Sequence, residues 1–176
     1  MTKECIALEW YECEQAIYVG ARREAEVFRF PEHAKKQYSE EPSILNHIES
    51  AGAERAVAKR LNLDWHAAIN TFKQGVSDVG GAIEVRWRRD KPGKKRDLIV
   101  RDDDHDDRFY VLVRGAMPVY EMIGWIRGKD AKQARFRSNP GGHEEAWFVP
   151  EEQLRPVSEL QVSKVHLADN REDWNF

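Results

Sequence analysis

The stretch SDVGGAIEVRWRR, residues 77 to 89, decides how the middle of the chain folds. Two glycines precede a short run rich in Ile, Val and Trp, which predicts a β-strand that follows a tight turn. Side chains alternate along a strand, so one face of this strand is apolar and the other is charged. The two sets are Ile83, Val85 and Trp87, and Glu84, Arg86 and Arg88. Burial of one face explains the apolar set, but the charged set and the nearby Asp78 need a further explanation.

The segments on either side of this strand predict a mixed α/β (α+β) fold. Apolar residues at helical spacing predict a helix within residues 5–28 and a second helix from Ile44 to Leu61, with Ser43 as its N-cap and Asn62 at its end. Short segments rich in Val, Ile and aromatic residues follow, separated by the charged turns KPGKK and DDDHDD. They predict strands that pair as antiparallel neighbours. A helical turn is expected at GKDAKQARF, a last strand at AWFV and a short helix at PEEQL.

The length of 176 residues is most simply that of one domain with its own core. We expect this domain to span residues 1–156, with the core in residues 43–156 and a polar tail over residues 157–176. Trp87 and Trp125 lie in apolar strand patterns and are predicted to pack in that core. The inward stripe of the first helix is predicted to be Trp10, Cys13, Ile17, Gly20 or Ala21, and Val27 or Phe28.

Composition excludes several classes of function. The net charge is −3, so the chain is not generally basic, although a local basic patch remains compatible with it. Cys5 and Cys13 lack the spacing of a zinc site or a disulfide framework. No run approaches the ~18 apolar residues of a membrane helix, and the first ten residues lack the pattern of a signal peptide. These features predict a cytoplasmic protein without a membrane partner.

Three acidic residues are candidates for a shared site. Glu54 falls on the inward stripe of the second helix, whereas Glu49 points to the far side and is predicted to be a solvent-exposed charge. A carboxylate aimed at the core is costly unless it is paired, hydrogen-bonded or bound to a metal. Glu54, Asp78 and Glu84 together offer the hard oxygen ligands that suit Mg²⁺ or Mn²⁺. The alternative is that these acids form an ordinary solvated face of the strand.

These residues resemble the PD-(D/E)XK nuclease superfamily, which has the restriction-endonuclease-like fold. The resemblance covers residues 46 to 156 and rests on Asp78, the run Glu84-Val85-Arg86, and Glu54 on a preceding helix. The chain is also similar to uncharacterised bacteriophage proteins that share, in order, HIE…AVAKRL, NTFK…DVGG…VR, LIVR…DD…YVLV, GWIRG and NPGG…FVP. The resemblance implies a mixed sheet flanked by helices.

The resemblance also implies a role for each residue of the motif. Asp78 and Glu84 would ligate Mg²⁺ or Mn²⁺ with the Val85 carbonyl, and Glu54 would complete the site or its water shell. Arg86 stands where the family usually has lysine. A guanidinium can bind phosphate and stabilise its developing charge, but it is a poor proton acceptor. A lysine from elsewhere in the sequence, Lys73 or Lys59, is an alternative to Arg86 as the proton acceptor.

Two further charged stretches have competing interpretations. From residue 86 to 96 the window RWRRDKPGKKR holds seven basic residues and one acid, which favours contact with a phosphate backbone. The candidate DNA-binding residues are Arg88, Arg89, Lys91, Lys94, Lys95 and Arg96. The alternative is a charged turn that keeps a sheet edge soluble. The run DDDHDD lacks the glycine and glutamate of an EF-hand and is predicted to be a solvated turn.

The sequence therefore predicts a Mg²⁺-dependent endonuclease that hydrolyses DNA phosphodiester bonds and is encoded by a phage or prophage. Nucleases of this fold often act as dimers, so a homodimer is compatible with the resemblance. The alternative is a catalytically weakened member that binds DNA or a host defence protein, and Arg86 in place of lysine favours it. RNA as the substrate is a third interpretation.

Overall fold

A computed structural model describes residues 4–30, 42–69, 75–90, 97–140 and 145–161, and it confirms the coarse α+β class. The helices are α1 Trp10–Arg29, α2 Ser43–Leu61 and α3 Gly128–Ala131. The strands are β1 Glu4–Ala7, β2 Ile83–Arg88, β3 Leu98–Val100, β4 Phe109–Ala116, β5 Val119–Arg127, β6 Arg137–Ser138 and β7 Ala146–Val149. Short 3₁₀ turns occupy Ala134–Phe136, Glu151–Gln153 and Val157–Glu159.

The first helix is shorter than the sequence predicted. Residues 4–7 form β1, which pairs antiparallel with β5, and α1 begins only at Trp10. A capping box explains this start, because the backbone N–H of Glu9 donates to the side chain of Glu12 at 2.8 Å. Residues 5–7 already belong to β1, so the helix does not extend back over residues 5–9.

The prediction of which residues of α1 face the core is wrong for the large side chains. Trp10, Ile17 and Phe28 are exposed. The buried face instead carries smaller side chains, namely Cys13, Ala16, Val19 and Gly20, with the paired Glu12 and Glu24. This face packs against α2. The backbone of α2 at Ile48 lies so close to Gly20 that a Cβ on residue 20 would collide with it. Close packing of two helices needs small residues on the shared face, and a bulky stripe would hold them apart.

The second helix runs almost as predicted. It ends where Asn62 adopts a left-handed conformation, with φ 52° and ψ 49°, and the N–H of Asn62 bonds back to the carbonyls of Ala58 and Lys59. Ser43 is not the N-cap, because its hydroxyl instead donates to the carboxylate of Glu24 on α1.

The strand pairing corrects the antiparallel prediction. In the described part of the chain, one sheet has the order β1-β5-β4-β2 and a second has the order β3-β7-β6. β4 and β5 are antiparallel neighbours as expected, but β2 runs parallel to β4 and does not pair with β3. Between β2 and β4 the chain passes through β3 of the second sheet, so the connection is a crossover, which parallel pairing requires. Four consecutive residues of β4, from Tyr110 to Val113, have no exposed surface, so both faces of this strand are covered.

Two apolar layers cover the larger sheet. On one face, Val111 and Val113 pack with Val85 and the small residues of α2. On the other face, Tyr110 and Leu112 pack with β3 and β7 of the second sheet. Trp125 is buried in the first layer and Trp87 packs against it, as predicted.

The core extends beyond the predicted boundary at residue 156. Val157 and Leu160 are 4% and 8% exposed and belong to the layer beneath α2. The remainder of the predicted tail, residues 162–176, lies outside the described residues. Within the described ranges, no helix combines the length and the apolar character needed to cross a bilayer.

Candidate functional site

The turn between residues 78 and 83 places Asp78 at the outer edge of β2. Val79 and Ile83 exchange two backbone hydrogen bonds of 3.1 and 3.0 Å around the positive-φ glycines Gly80 and Gly81. Immediately beyond this pairing, the Val85 N–H donates to Oδ2 of Asp78 at 2.8 Å. β2 is the edge strand of its sheet, and the N–H and C=O of one strand residue point to the same side. The Val85 carbonyl is therefore directed to the same edge as the Asp78 carboxylate.

Glu84 lies on the opposite side of β2 from α2 and is surrounded by arginine. Nη1 of Arg108 contacts its Oε1, and Nη1 of Arg86 lies 3.5 Å from its Oε2. The second Nη of Arg108 also bonds the backbone carbonyl of Gly75. The Glu84 side chain is only 14% exposed, so two permanent positive charges are needed to stabilise its negative charge there.

Arg86 is held in place on several sides. Its Nη2 lies 2.7 Å from Oδ1 of Asp104, its Nε donates to the Ile99 carbonyl at 3.3 Å, and its guanidinium carbon lies 5.0 Å from the centre of the Tyr110 ring. Burial lowers the pKa of Arg86, but Asp104 and Glu84 outweigh burial and raise the pKa above the ordinary value. Arg86 is therefore a fixed positive charge, consistent with its predicted electrostatic role.

Glu54 points into the protein, as predicted, but both of its oxygens are already engaged. Arg23 of α1 donates to Oε1 at 2.7 Å and to Oε2 at 2.8 Å, and the indole N–H of Trp65 reaches Oε2 at 3.1 Å. Nε of Arg23 is satisfied by the Ala68 carbonyl at 2.8 Å. With the Glu54 side chain 7% exposed, this is a buried bidentate ion pair.

Asp78 interacts electrostatically with both Glu54 and Glu84. Burial raises the pKa of Asp78 well above its ordinary value, and the negative charges of Glu54 and Glu84 raise it further. The N–H of Val85 and the charge of Arg86 oppose this shift without cancelling it. Glu54 comes from the helix side of β2 and Glu84 from the other side, so Asp78 at the edge lies between two like charges.

The predicted cluster of three carboxylate ligands is not formed by these side chains. Among the residues that the structure describes, no group of three or more His, Cys, Asp or Glu side chains is placed to hold a metal ion. Glu54 is bound to Arg23 rather than turned toward the other two acids. Glu84 is also engaged, because its two oxygens lie beside Arg108 and Arg86. Asp78 and the Val85 carbonyl remain at the edge of β2, and Mg²⁺ commonly uses one or two carboxylates with water and phosphate oxygens. This smaller set suits a divalent cation held mainly by Asp78, which Glu84 would join only by releasing one of its arginines.

One prediction of exposed charge is wrong, and another is confirmed for all but one residue. Glu49 is half-buried and accepts hydrogen bonds from the Met117 N–H at 3.0 Å and the Tyr120 hydroxyl at 2.8 Å. The DDDHDD turn is solvated as predicted except at Asp104, which is half-buried and held by Arg86. Burial alone would raise the pKa of Asp104, but Arg86 and the Arg101 N–H outweigh burial and lower it. Lys132 also anchors this turn, because its Nζ bonds the Asp104 carbonyl at 2.5 Å. Glu49 and Asp104 are thus both bound by residues that are distant from them along the chain.

Most of the predicted DNA-binding stretch lies outside the described residues, namely Lys91, Lys94, Lys95 and Arg96. Arg88 and Arg89 are half-buried, and the guanidinium carbon of Arg89 lies 5.8 Å from the centre of the Trp87 ring. Because β2 and β3 belong to different sheets, this stretch does not join a hairpin of two paired strands.

The two lysines considered as substitutes for Arg86 differ in what the structure shows. Lys73 lies outside the described residues. Lys59 is engaged elsewhere, with its Nζ 2.6 Å from a Glu12 oxygen of α1 and 3.0 Å from the Ala7 carbonyl. Lys59 is therefore not placed to accept a proton beside Asp78.

Sequence reasoning missed four residues around the site. Arg23 neutralises Glu54, Arg108 and Asp104 complete the arginine-carboxylate network, and His66 lies against the strand segment that carries Asp78. The His66 N–H donates to the Asp78 carbonyl at 3.2 Å, and its Nδ1 lies 2.6 Å from the Ser77 carbonyl oxygen. No local pattern identifies these residues, because their partners lie 11 to 31 positions away.

No protein-family model matches the chain, and no curated protein or solved structure matches it either. The fold and the site thus define an α+β protein with a buried network of carboxylates and arginines at the edge of a mixed sheet. The resemblance to the nuclease superfamily rests on the sequence motif.

Proposed function

We propose that the protein is a divalent-metal-dependent endonuclease of restriction-endonuclease-like fold that hydrolyses DNA phosphodiester bonds. The observation that supports this most is the Asp78 carboxylate at the outer edge of β2, with its pKa raised by burial and by Glu54 and Glu84. A divalent cation bound beside Asp78 would offset this shift and favour the ionised carboxylate. Perturbed carboxylates of this kind are frequent in active sites.

Asp78 and the Val85 carbonyl would hold the metal, and Glu84 would join them once one of its oxygens leaves Arg108 or Arg86. Bound there, Mg²⁺ or Mn²⁺ would acidify a water molecule and neutralise charge on the phosphate. Glu54 is assigned a supporting role, because its ion pair with Arg23 fixes a negative charge near Asp78 without supplying a ligand.

Arg86 and Arg108 supply fixed positive charge beside Glu84. An arginine side chain carries positive charge, so both would favour the extra negative charge that builds on a phosphodiester during hydrolysis. Arg86 is bound to Asp104 and therefore also positions Glu84. DNA is the proposed partner through the superfamily resemblance, with the basic residues from 88 to 96 contacting its backbone.

A specific observation also favours the alternative, a weakened relative that binds DNA or a host defence protein without cutting it. The position where the superfamily usually has lysine is occupied by Arg86, whose guanidinium is engaged by Asp104, Ile99 and Tyr110. No proton acceptor is provided at that position. Binding would then depend on the basic residues alone.

The test compares plasmid cleavage by the wild type with Asp78→Asn and Glu84→Gln, in Mg²⁺, in Mn²⁺ and in EDTA. Asp103→Asn serves as the matched control, because Asp103 is an exposed acid outside the site. We expect cleavage that EDTA abolishes and that each site variant lowers by roughly 100-fold or more, since even the loss of a residue that only hydrogen-bonds to a metal ligand costs about 10–100-fold. Equal cleavage by Asp78→Asn and Asp103→Asn would refute the site. A gel shift of DNA without cleavage in any metal would support the alternative.

A further inference from the structure

The outward side of α1 is unusually apolar for a surface helix. Its exposed large side chains are Trp10 at 75%, Tyr11 at 55%, Ile17 at 43%, Tyr18 at 60% and Phe28 at 76%. We call these five residues the α1 outer face. Single exposed apolar residues are ordinary on a protein surface, but a contiguous set of aromatic residues on one helix is typical of an interaction surface.

The five residues lie on the outward side of α1, within about 120° of one another around its axis, with the exposed Glu14 among them. Residues seven apart on a helix lie within about 20° of each other, so Trp10 aligns with Ile17 and Tyr11 with Tyr18. Phe28 lies five turns beyond Trp10 on the same side. The side of α1 buried against α2 carries Cys13, Ala16 and Val19 and faces away from this surface.

The area of this surface is large enough for a weak to moderate dimer. A covered aromatic side chain buries roughly 150–250 Å². With their exposed fractions, the four aromatic residues on two copies would remove on the order of 800–1,300 Å² from water. Stable specific interfaces bury about 1,200–2,000 Å² in total, so the α1 outer face with its flanking residues reaches the lower end of that range.

The charges along α1 favour an antiparallel arrangement. The first half of α1 exposes one acidic charge, Glu14, whereas its second half exposes Arg22 and Arg29. If two copies of α1 cross antiparallel, the acidic half of each lies beside the basic half of the other. A parallel arrangement would instead place like charges together.

We propose that the protein forms a homodimer in which the α1 outer faces of two copies pack antiparallel about a twofold axis. Such an interface is self-complementary, because each contact between the two halves occurs twice. Tyr18, near the middle of α1, lies close to the axis. This inference does not depend on the proposed hydrolase activity, and its test does not measure cleavage.

The test is sedimentation velocity of the full chain over a concentration series, with Tyr18→Glu and, as the matched control, Val119→Ser. Val119 is an exposed apolar residue outside α1, at 46% exposure. We expect a dimer for the wild type and for Val119→Ser, and at least about a tenfold increase in the dissociation constant for Tyr18→Glu. A monomeric wild type, or a dimer that Tyr18→Glu leaves unchanged, would overturn the proposal.

The orientation is tested by charge exchange. Glu14→Arg and Arg22→Glu should each increase the dissociation constant severalfold, and the double variant should restore it to near the wild-type value. Both positions are exposed, so the variants should keep the wild-type circular dichroism spectrum. A double variant weaker than either single variant would rule out the antiparallel arrangement.

Discussion

Replacing Arg23 by methionine should lower the free energy of unfolding by about 3–5 kcal/mol, the usual cost of leaving a buried charge without its partner. The structure supports a value in this range. Arg23 makes two charge-assisted hydrogen bonds with Glu54, at 2.7 and 2.8 Å, and Glu54 is only 5% exposed. The unpaired Glu54 would also remain near Asp78, which already experiences its negative charge.

The assay is urea unfolding followed by tryptophan fluorescence for Arg23→Met, Glu54→Met and the double variant. Because a buried ion pair can often be replaced by apolar residues of similar volume, the double variant should be more stable than Arg23→Met. The coupling free energy from the four proteins should be at least about 1 kcal/mol. Arg101→Met, at an exposed arginine, should change stability by less than about 0.5 kcal/mol.

The result that would refute this reasoning is a cost below about 1 kcal/mol for Arg23→Met together with no coupling to Glu54→Met. Glu54 would then not depend on Arg23. Its carboxylate would be available to turn toward Asp78, and the original prediction of three carboxylate ligands would be favoured again.

Two further predictions concern Asp78 and the contact between α2 and β5. Because the pKa of Asp78 is raised in the folded state, its ionisation opposes folding, so the associated stability is present below the ordinary pKa of 3.8 and is lost as pH rises through the raised value. Asp78→Asn should therefore be more stable than the wild type near pH 7, because its amide oxygen can still accept the Val85 N–H and it carries no charge. In thermal melts without metal, the difference in stability between the two proteins should shrink toward pH 3.8. A difference that stays constant with pH would contradict the raised pKa of Asp78. Gly52→Ala should destabilise the fold by about 1–3 kcal/mol, although alanine favours helix, because the new Cβ would collide with the Tyr120 hydroxyl. Ser50→Ala on the same helix should lack this loss, and equal melting temperatures for the two variants would show that the Tyr120 contact is not tight.

The sequence by itself determined the features that depend on local pattern. The alternation in β2, the end of α2 at Asn62 and the strand Ala146–Val149 all follow from periodicity or from the conformational preference of one residue. The inward direction of Glu54 was predicted for the same reason, since a helical stripe fixes which residues share a face.

Only the tertiary structure decided which partners these residues meet. The parallel pairing of β2 with β4, the ion pair of Glu54 with Arg23 and that of Arg86 with Asp104 join elements that are distant along the chain. The exposure of Trp10 and Phe28 was decided in the same way, because α1 has two apolar sides and the approach of α2 selects the one with small residues. Periodicity fixes the direction of a side chain within its own element, but the identity of its neighbour depends on how separate elements pack, and no short stretch of sequence contains that information.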